Sequence, residues 1–241
     1  MIDINAVYAS NKCGKFIITE YINCYKIKIK FISTKFETYS NSSNIKEGKV
    51  KDYTLRNVQD IATVGGVQYS KKHNKLAYDT WQSMIKRCYS LQYIQHNPSY
   101  INCIVSDEWL NFQNFCPWFL INFKPGYHLD KDLKVIDNKI YSKDTCLMIP
   151  AWLNTALCYK NKTRVDKTYN NKFKPVISYK DKNYYGKVTS NKNKALYQSA
   201  LMKDVKLTLI YLDPILPKEL KPYIYKLIQK QKGEIYNVKS Q

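Results

Sequence analysis

No uninterrupted apolar run in this chain approaches the ~18–20 residues that a membrane-spanning helix needs, and Met1 to Gly14 lacks the apolar stretch of a signal peptide. A soluble intracellular protein with no membrane partner is expected. The seven cysteines are odd in number and no two form a CxxC, so neither a disulfide framework nor a zinc ribbon is indicated. Buried free thiols are expected instead. Acidic side chains are scarce: 19 Asp and Glu stand against 39 Lys and Arg, a net charge of +20. Such a balance favours a polyanionic partner, nucleic acid first and an anionic membrane second. What the chain does have is core material, with 44% hydrophobic residues, 14% aromatic residues and 22 tyrosines among 241. Disordered, collagen-like and linker-like chains are excluded, and the length suits one domain with appendages or two to three small modules.

Lys, Asn, Ile and Tyr are used heavily, as an AT-rich coding sequence would give, but the excess charge is not evenly spread. Residues 1–75 carry +7, 76–154 carry 0 and 155–241 carry +13. Three modules with these borders are expected, two basic ones flanking a neutral centre with a different task. In the first, Tyr25 to Phe31 alternates strictly, placing Ile27, Ile29 and Phe31 on a buried face and Lys26, Lys28 and Lys30 on the other. A small barrel or meander follows from this, with the lysine row either simply solvated or lying along a phosphate backbone.

After a connector over 54–74, the spacing of Leu76, Ala77, Trp81, Met84, Ile85 and Cys88 predicts a helix. A second is signalled by Ser106 as N-cap, Asp107 and Glu108 in the first turn, and Trp109, Phe112, Phe115 and Cys116 on one face. Pro117 should kink or end it. These aromatics read as core. The third module opens with a basic stretch, 160–174, followed by a hairpin of 172–179 and 183–188 turning at Asp181-Lys182. A long helix capped by Ser190 or Asn191, running through Ala195, Leu196, Ala200, Leu201 and Val205 to about Leu212 and ended by Pro214, and an amphipathic helix around 220–228 complete it.

The stretch most suggestive of chemistry is Leu129-Asp130-Lys131-Asp132-Leu133 with Asp137-Asn138-Lys139 and 141–154 beyond it. If 127–133 is a strand, His128, Asp130 and Asp132 share one face and Lys131 points the other way. Two carboxylates and an imidazole there could bind a hard divalent cation and activate water, whereas the plain structural reading is a charged surface hairpin.

The blocks 44–52, Trp81 to Tyr89, Asp107 to Phe112, Leu129-Asp130-Lys131-Asp132 and Tyr141 to Cys146, in that order, resemble phage-encoded proteins related to HNH homing endonucleases. The C-terminal hairpin and helix, with Tyr184-Tyr185-Gly186, more weakly resemble an AP2-type DNA-binding domain. The resemblance implies an α+β chain of three parts: a basic N-terminal β module, central helices with an HNH-like ββα-metal core, and an AP2-like module laying a small sheet in the major groove. It also implies a phage homing-type endonuclease acting in the cytoplasm of an infected bacterium. Phosphodiester hydrolysis would be assisted by Mg2+ or Mn2+. Asp132, Asn138, Lys139, Asp144 and Asn154 match the HNH pattern, while Asp130 occupies the slot of the general-base histidine and Tyr141 and Thr145-Cys146 also depart from it. A free aspartate, near pKa 3.9, is a much weaker base at neutral pH than imidazole near 6.5.

Three readings follow from that substitution. In one, Asp130 and Asp132 hold the metal, Asn154 orients metal or phosphate, and His128 or metal-bound water is the base. In another, Lys131 stabilises a phosphate; in the last, the core is a silent scaffold of a noncatalytic nucleic-acid-binding or host-interaction protein. Lys26, Lys28, Lys30, Lys172, Lys174, Lys180, Lys182 and Lys187 are the expected contacts to double-stranded DNA, and no protein partner is named by the sequence.

Overall fold

The computed structural model describes residues 2–158, 164–180 and 182–239. Part of the basic stretch 160–174 and the expected turn residue Asp181 lie outside the described residues. The chain is α+β and divides into two compact units, Met1–Ile121 with Lys139–Ser142, and Asn122–Asn138 with Lys143–Gln241. These borders differ from the charge borders at 75 and 154, and the segment 76–154 contributes to both units. Among the described residues no helix is long and apolar enough to cross a membrane. None of the seven cysteines forms a disulfide among the described residues; five are buried, with Cys24 and Cys158 exposed.

The first unit opens with a four-stranded antiparallel meander, β1 (Val7–Ser10), β2 (Gly14–Asn23), β3 (Lys26–Phe31) and β4 (Glu37–Ser40), in that spatial order. Ile27, Ile29 and Phe31 on β3 are fully buried against Phe16 and Ile18 of β2, and the short helix α1 (Ser42–Lys46) adds Ile45 to this core. Asp52 is buried beside it and accepts hydrogen bonds from the Thr34 hydroxyl and from the backbone N–H and hydroxyl of Thr54, which anchors the chain as it leaves the sheet.

Helix α2 (Lys75–Tyr89) buries Ala77, Trp81, Met84, Ile85 and Cys88 along one face, the stripe its 3.6-residue period dictates. It is followed by α3 (Leu91–His96) and the short strand β5 (Ile104–Val105). The second predicted helix differs in its bounds. A 3-10 turn covers Asp107–Leu110, the chain breaks at Asn111, and α4 runs Phe112–Asn122 with Pro117 inside it. Asn111 is the reason for the later start: its Oδ1 accepts from the Gln113 N–H at 2.9 Å, restarting the helix there, while Ser106 makes no side-chain cap bond; the helix continues past Pro117.

The stretch 54–74 has no regular element but is not loose. Gln113 of α4 donates to the carbonyls of Val64 at 2.8 Å and Tyr69 at 3.0 Å, and accepts from the Tyr69 N–H at 2.9 Å. Gly65, at φ +75°, is pressed against Asn111, where an added Cβ would meet Oδ1 at 1.8 Å. Replacing Gln113 with Ala should lower stability by about 1–3 kcal/mol, because several part-buried backbone groups lose their partner at once. Limited proteolysis should then cut within 64–69, and a wild-type cleavage pattern would remove Gln113 from this role.

The second unit holds the antiparallel pair β6 (Tyr127–Asp130) and β8 (Leu147–Pro150), while β7 (Ile140–Tyr141), in the loop between them, pairs with β5 in the first unit. Helix α5 (Ala151–Leu157) follows β8 directly. A three-stranded sheet, β9 (Arg164–Lys167), β10 (Phe173–Tyr179) and β11 (Lys182–Tyr185), has β10 at its centre. Next come α6 (Lys192–Leu212), capped by Asn191 accepting from the Lys194 N–H, and α7 (Lys221–Lys239). Leu133, Ile149 and Leu153 share one core with Tyr179, Leu207, Ile210, Leu220, Ile224 and Ile228. The β6–β8–α5 element and the lysine-bearing sheet are therefore parts of one packed body. Along α6 the buried side is Ala195, Ser199, Lys206, Leu207 and Ile210, while Leu196, Leu201 and Val205 stand exposed.

Candidate functional site

Asp130 closes β6, opposite Leu147 in the register, with Leu129 buried on the other face. Its Oδ1 accepts from two backbone amides, Asp132 at 3.0 Å and Leu133 at 2.7 Å, so the carboxyl itself forms the turn that leads out of the strand. Leu133, in the core, pins that turn from below. Burial pushes the Asp130 carboxyl up to about 6, with the neighbouring Asp132 charge acting in the same direction and the two amides and Lys131 opposing. This is the most perturbed carboxyl among the described residues, and it lies in the slot where the HNH resemblance would have a base. Its titration falls close to that of an imidazole.

Lys131 is turned inward. Its side chain is buried, and its ammonium donates to Asp132 Oδ1 and, at 3.2 Å, to the Asn138 carbonyl. Asn138 returns a bond from Nδ2 to the Lys131 carbonyl at 2.8 Å, so the two residues staple the loop shut. This is a positioning arrangement rather than one open to a phosphate. Asp132 is 60% exposed and engaged by Lys131. Asp130 and Asp132 thus serve different partners, the first two backbone amides and the second the Lys131 ammonium. Among the described residues no group of three His, Cys, Asp or Glu side chains is placed to hold a metal ion. As arranged, the predicted pair does not offer a divalent cation two free carboxylates.

His128, on the same strand face as Asp130 by alternation, is exposed, and Asn154 is half-buried in the second turn of α5. The predicted DNA contacts fall into three groups. Lys28 and Lys30 flank Glu37, at 2.9 and 3.0 Å, and Lys26 sits 5.2 Å above the Tyr39 ring, so part of the lysine row on β3 is neutralised by its own sheet. Lys180 pairs with the buried Asp213 at 2.7 Å, where Tyr179 also donates at 3.0 Å. Lys172 and Lys187 line an open cleft, Lys174 lies 3.7 Å over the Tyr185 ring, and Lys182 is exposed on β11. Lys194 and Gln198 of α6 join Lys172 and Lys187 in that cleft and were not anticipated. Their four-residue spacing on one helix side was the available signal.

The Lys180 hydrogen bond, first among its causes, holds the Asp213 carboxyl below its ordinary value. A depressed folded pKa contributes stability above the unfolded value near 3.9 that is lost as pH falls through the folded one. Asp213→Asn should therefore melt earlier than wild type at pH 7, and the gap should close in thermal scans below about pH 3. A gap that persists there would mean that the ion pair is not its cause.

Comparison with protein-family models, with curated proteins and with solved structures finds no match for this chain.

Proposed function

We propose that this protein binds duplex DNA and hydrolyses a phosphodiester bond, with Asp130 as the general base that takes the proton from the attacking water. The observation that carries the reading is the Asp130 carboxyl, tied by two backbone amides at the end of β6 and raised by burial to about 6. A base poised near the working pH is what such a step requires, and an aspartate so placed makes good the loss of the usual histidine. The succession β6, β8, α5 has the strand–strand–helix order of the HNH-like core that the sequence resembles, and a phage homing-type endonuclease with an AP2-like DNA-binding module is the finer form of this proposal. The exposed lysines of the same unit supply the positive surface for the phosphate backbone.

A second reading is favoured by one specific observation. Lys131 occupies the acidic loop with its own ammonium, which suits a noncatalytic DNA-binding protein on the same scaffold. Nicking of supercoiled plasmid with Mg2+, with Mn2+ and with chelator, compared between wild type and Asp130→Asn at matched DNA occupancy, separates the two. The catalytic reading expects a loss of roughly 100-fold or more with binding unchanged. Equal rates in the two proteins sink catalysis and leave binding, and absence of duplex binding by both sinks the whole proposal.

A further inference from the structure

The cleft in the second unit has a volume of about 290 Å3 and is walled by Lys172, Lys187, Val188, Thr189, Ser190, Lys194 and Gln198. Three stretches of chain make it. Lys172 precedes β10, residues 187–190 cross back beside it through the paired backbones of Phe173 and Thr189, at 2.7 and 3.0 Å, and Lys194 and Gln198 come from successive turns of α6. Gly186 permits the close return, since a Cβ there would lie 2.9 Å from Pro175 Cβ and 3.1 Å from Met202 Sδ. The wall carries three lysines and no acidic residue, and among the described residues none of the three forms an ion pair. Lys180, by contrast, has Asp213, and Lys28 and Lys30 have Glu37.

Three unpaired ammonium groups around one cleft repel one another until an anion joins them. Lysine charges with threonine and serine hydroxyls suit the rounded, multi-oxygen surface of a phosphate, whereas a planar carboxylate is better met by the arginine fork, which is missing from this wall. Lys174, two residues along from Lys172, lies over the exposed Tyr185 ring and continues the basic track beyond the cleft. A chain of phosphates can use that track. We infer that Lys172, Lys187 and Lys194 together form the seat of a single phosphodiester group of a nucleic-acid backbone. The inference rests on the DNA-binding part of the proposed function, not on its catalytic part, and it joins Lys194 to a contact that the sequence divided between independent lysines.

Duplex binding by the full chain, followed by fluorescence anisotropy between 50 and 200 mM salt, tests this with Lys172→Gln, Lys187→Gln, Lys194→Gln and the triple variant. Thermal melts of each variant verify that the fold is kept. Each neutralised phosphate contributes about 0.9 to the slope of log affinity against log salt, which is roughly a 3.5-fold change in affinity over this range. One shared seat predicts that the triple variant loses about 0.9 and that each single variant loses most of that amount. Three independent contacts would instead add to about 2.7, and that result overturns the shared seat. An unchanged slope removes the cleft from the interface. In a parallel arm, inorganic phosphate and a nucleoside triphosphate are titrated into wild type and triple variant by calorimetry. Binding that needs the three lysines, together with an unchanged DNA slope, assigns the cleft to a free phosphate compound and overturns the nucleic-acid assignment. The two proposals fail separately: wild type that binds duplex with the expected slopes but never nicks keeps the seat and loses catalysis, and wild type that nicks with slopes unaffected by the variants does the reverse.

Discussion

Asp130→Asn is expected to abolish plasmid nicking while making the protein more stable at neutral pH. Asparagine keeps the side-chain oxygen that accepts from the amides of Asp132 and Leu133, so the turn at the end of β6 survives the change. What disappears is the proton acceptor and the cost of holding a charge in a largely desolvated position. The sign follows from the titration. With the folded carboxyl near 6 and its ordinary value at 3.8, the folded state holds the proton more tightly than the unfolded one. Stability is then full below the unfolded value and is lost as pH rises through 6. The variant escapes that loss, so its advantage should be absent below pH 4, grow between pH 4 and 6, and reach up to about 3 kcal/mol above pH 7. Chemical denaturation at pH 4 and at pH 8 measures it. A variant less stable than wild type at pH 8 would show that the charge is satisfied in place and would remove the argument that it is kept for function. Nicking by wild type should rise with pH through the same interval, since only the ionised carboxylate can accept a proton.

The largest structural effect is expected at Trp81. Its side chain is fully buried, its indole N–H donates to the Trp109 carbonyl at 2.7 Å, and its ring lies 5.5 Å from Phe112 and 5.7 Å from Tyr78. Trp81→Ala removes the ring, opens a cavity among side chains held by two other elements, and leaves a buried carbonyl without its donor. Together these should cost about 3–5 kcal/mol or more, a large part of the 5–15 kcal/mol that stabilises an ordinary domain. Trp81→Phe keeps most of the packing and loses the hydrogen bond, and about 1–2 kcal/mol is expected. The denaturant midpoint of each variant is the measurement. A near-neutral Trp81→Ala would mean that this aromatic cluster does not organise the first unit.

Much of the secondary structure could be read from local pattern. The alternation from Tyr25 to Phe31 marks β3 and its buried face, the spacing from Ala77 to Cys88 marks α2, and Asn191 with Pro214 brackets α6. The errors have equally physical causes. The start of α4 was set by the Asn111 side chain and not by Ser106, two cap residues that compete within one short stretch. Which side of α6 turns inward was not legible, because Leu196, Leu201 and Val205 are as apolar as the residues that are buried, and only the packing of α7 and β10 decides which side is covered.

At the candidate site, the sequence by itself determined which residue stands in the slot that the resemblance assigns to a base, and that the lysines gather at the two ends of the chain. Those are properties of order and composition. Tertiary structure alone decided what each charge is worth. It half-buried the Asp130 carboxyl, drew Lys131 inside against Asp132 and Asn138, partly neutralised Lys28 and Lys30 with Glu37, paired Lys180 with Asp213, and left Lys172, Lys187 and Lys194 facing one cleft. The reason is distance along the chain: Asp213 lies 33 residues from Lys180, and Lys194 lies 22 from Lys172. The strength of a charge depends on its nearest partner and on the water removed around it, and neither is set by local order.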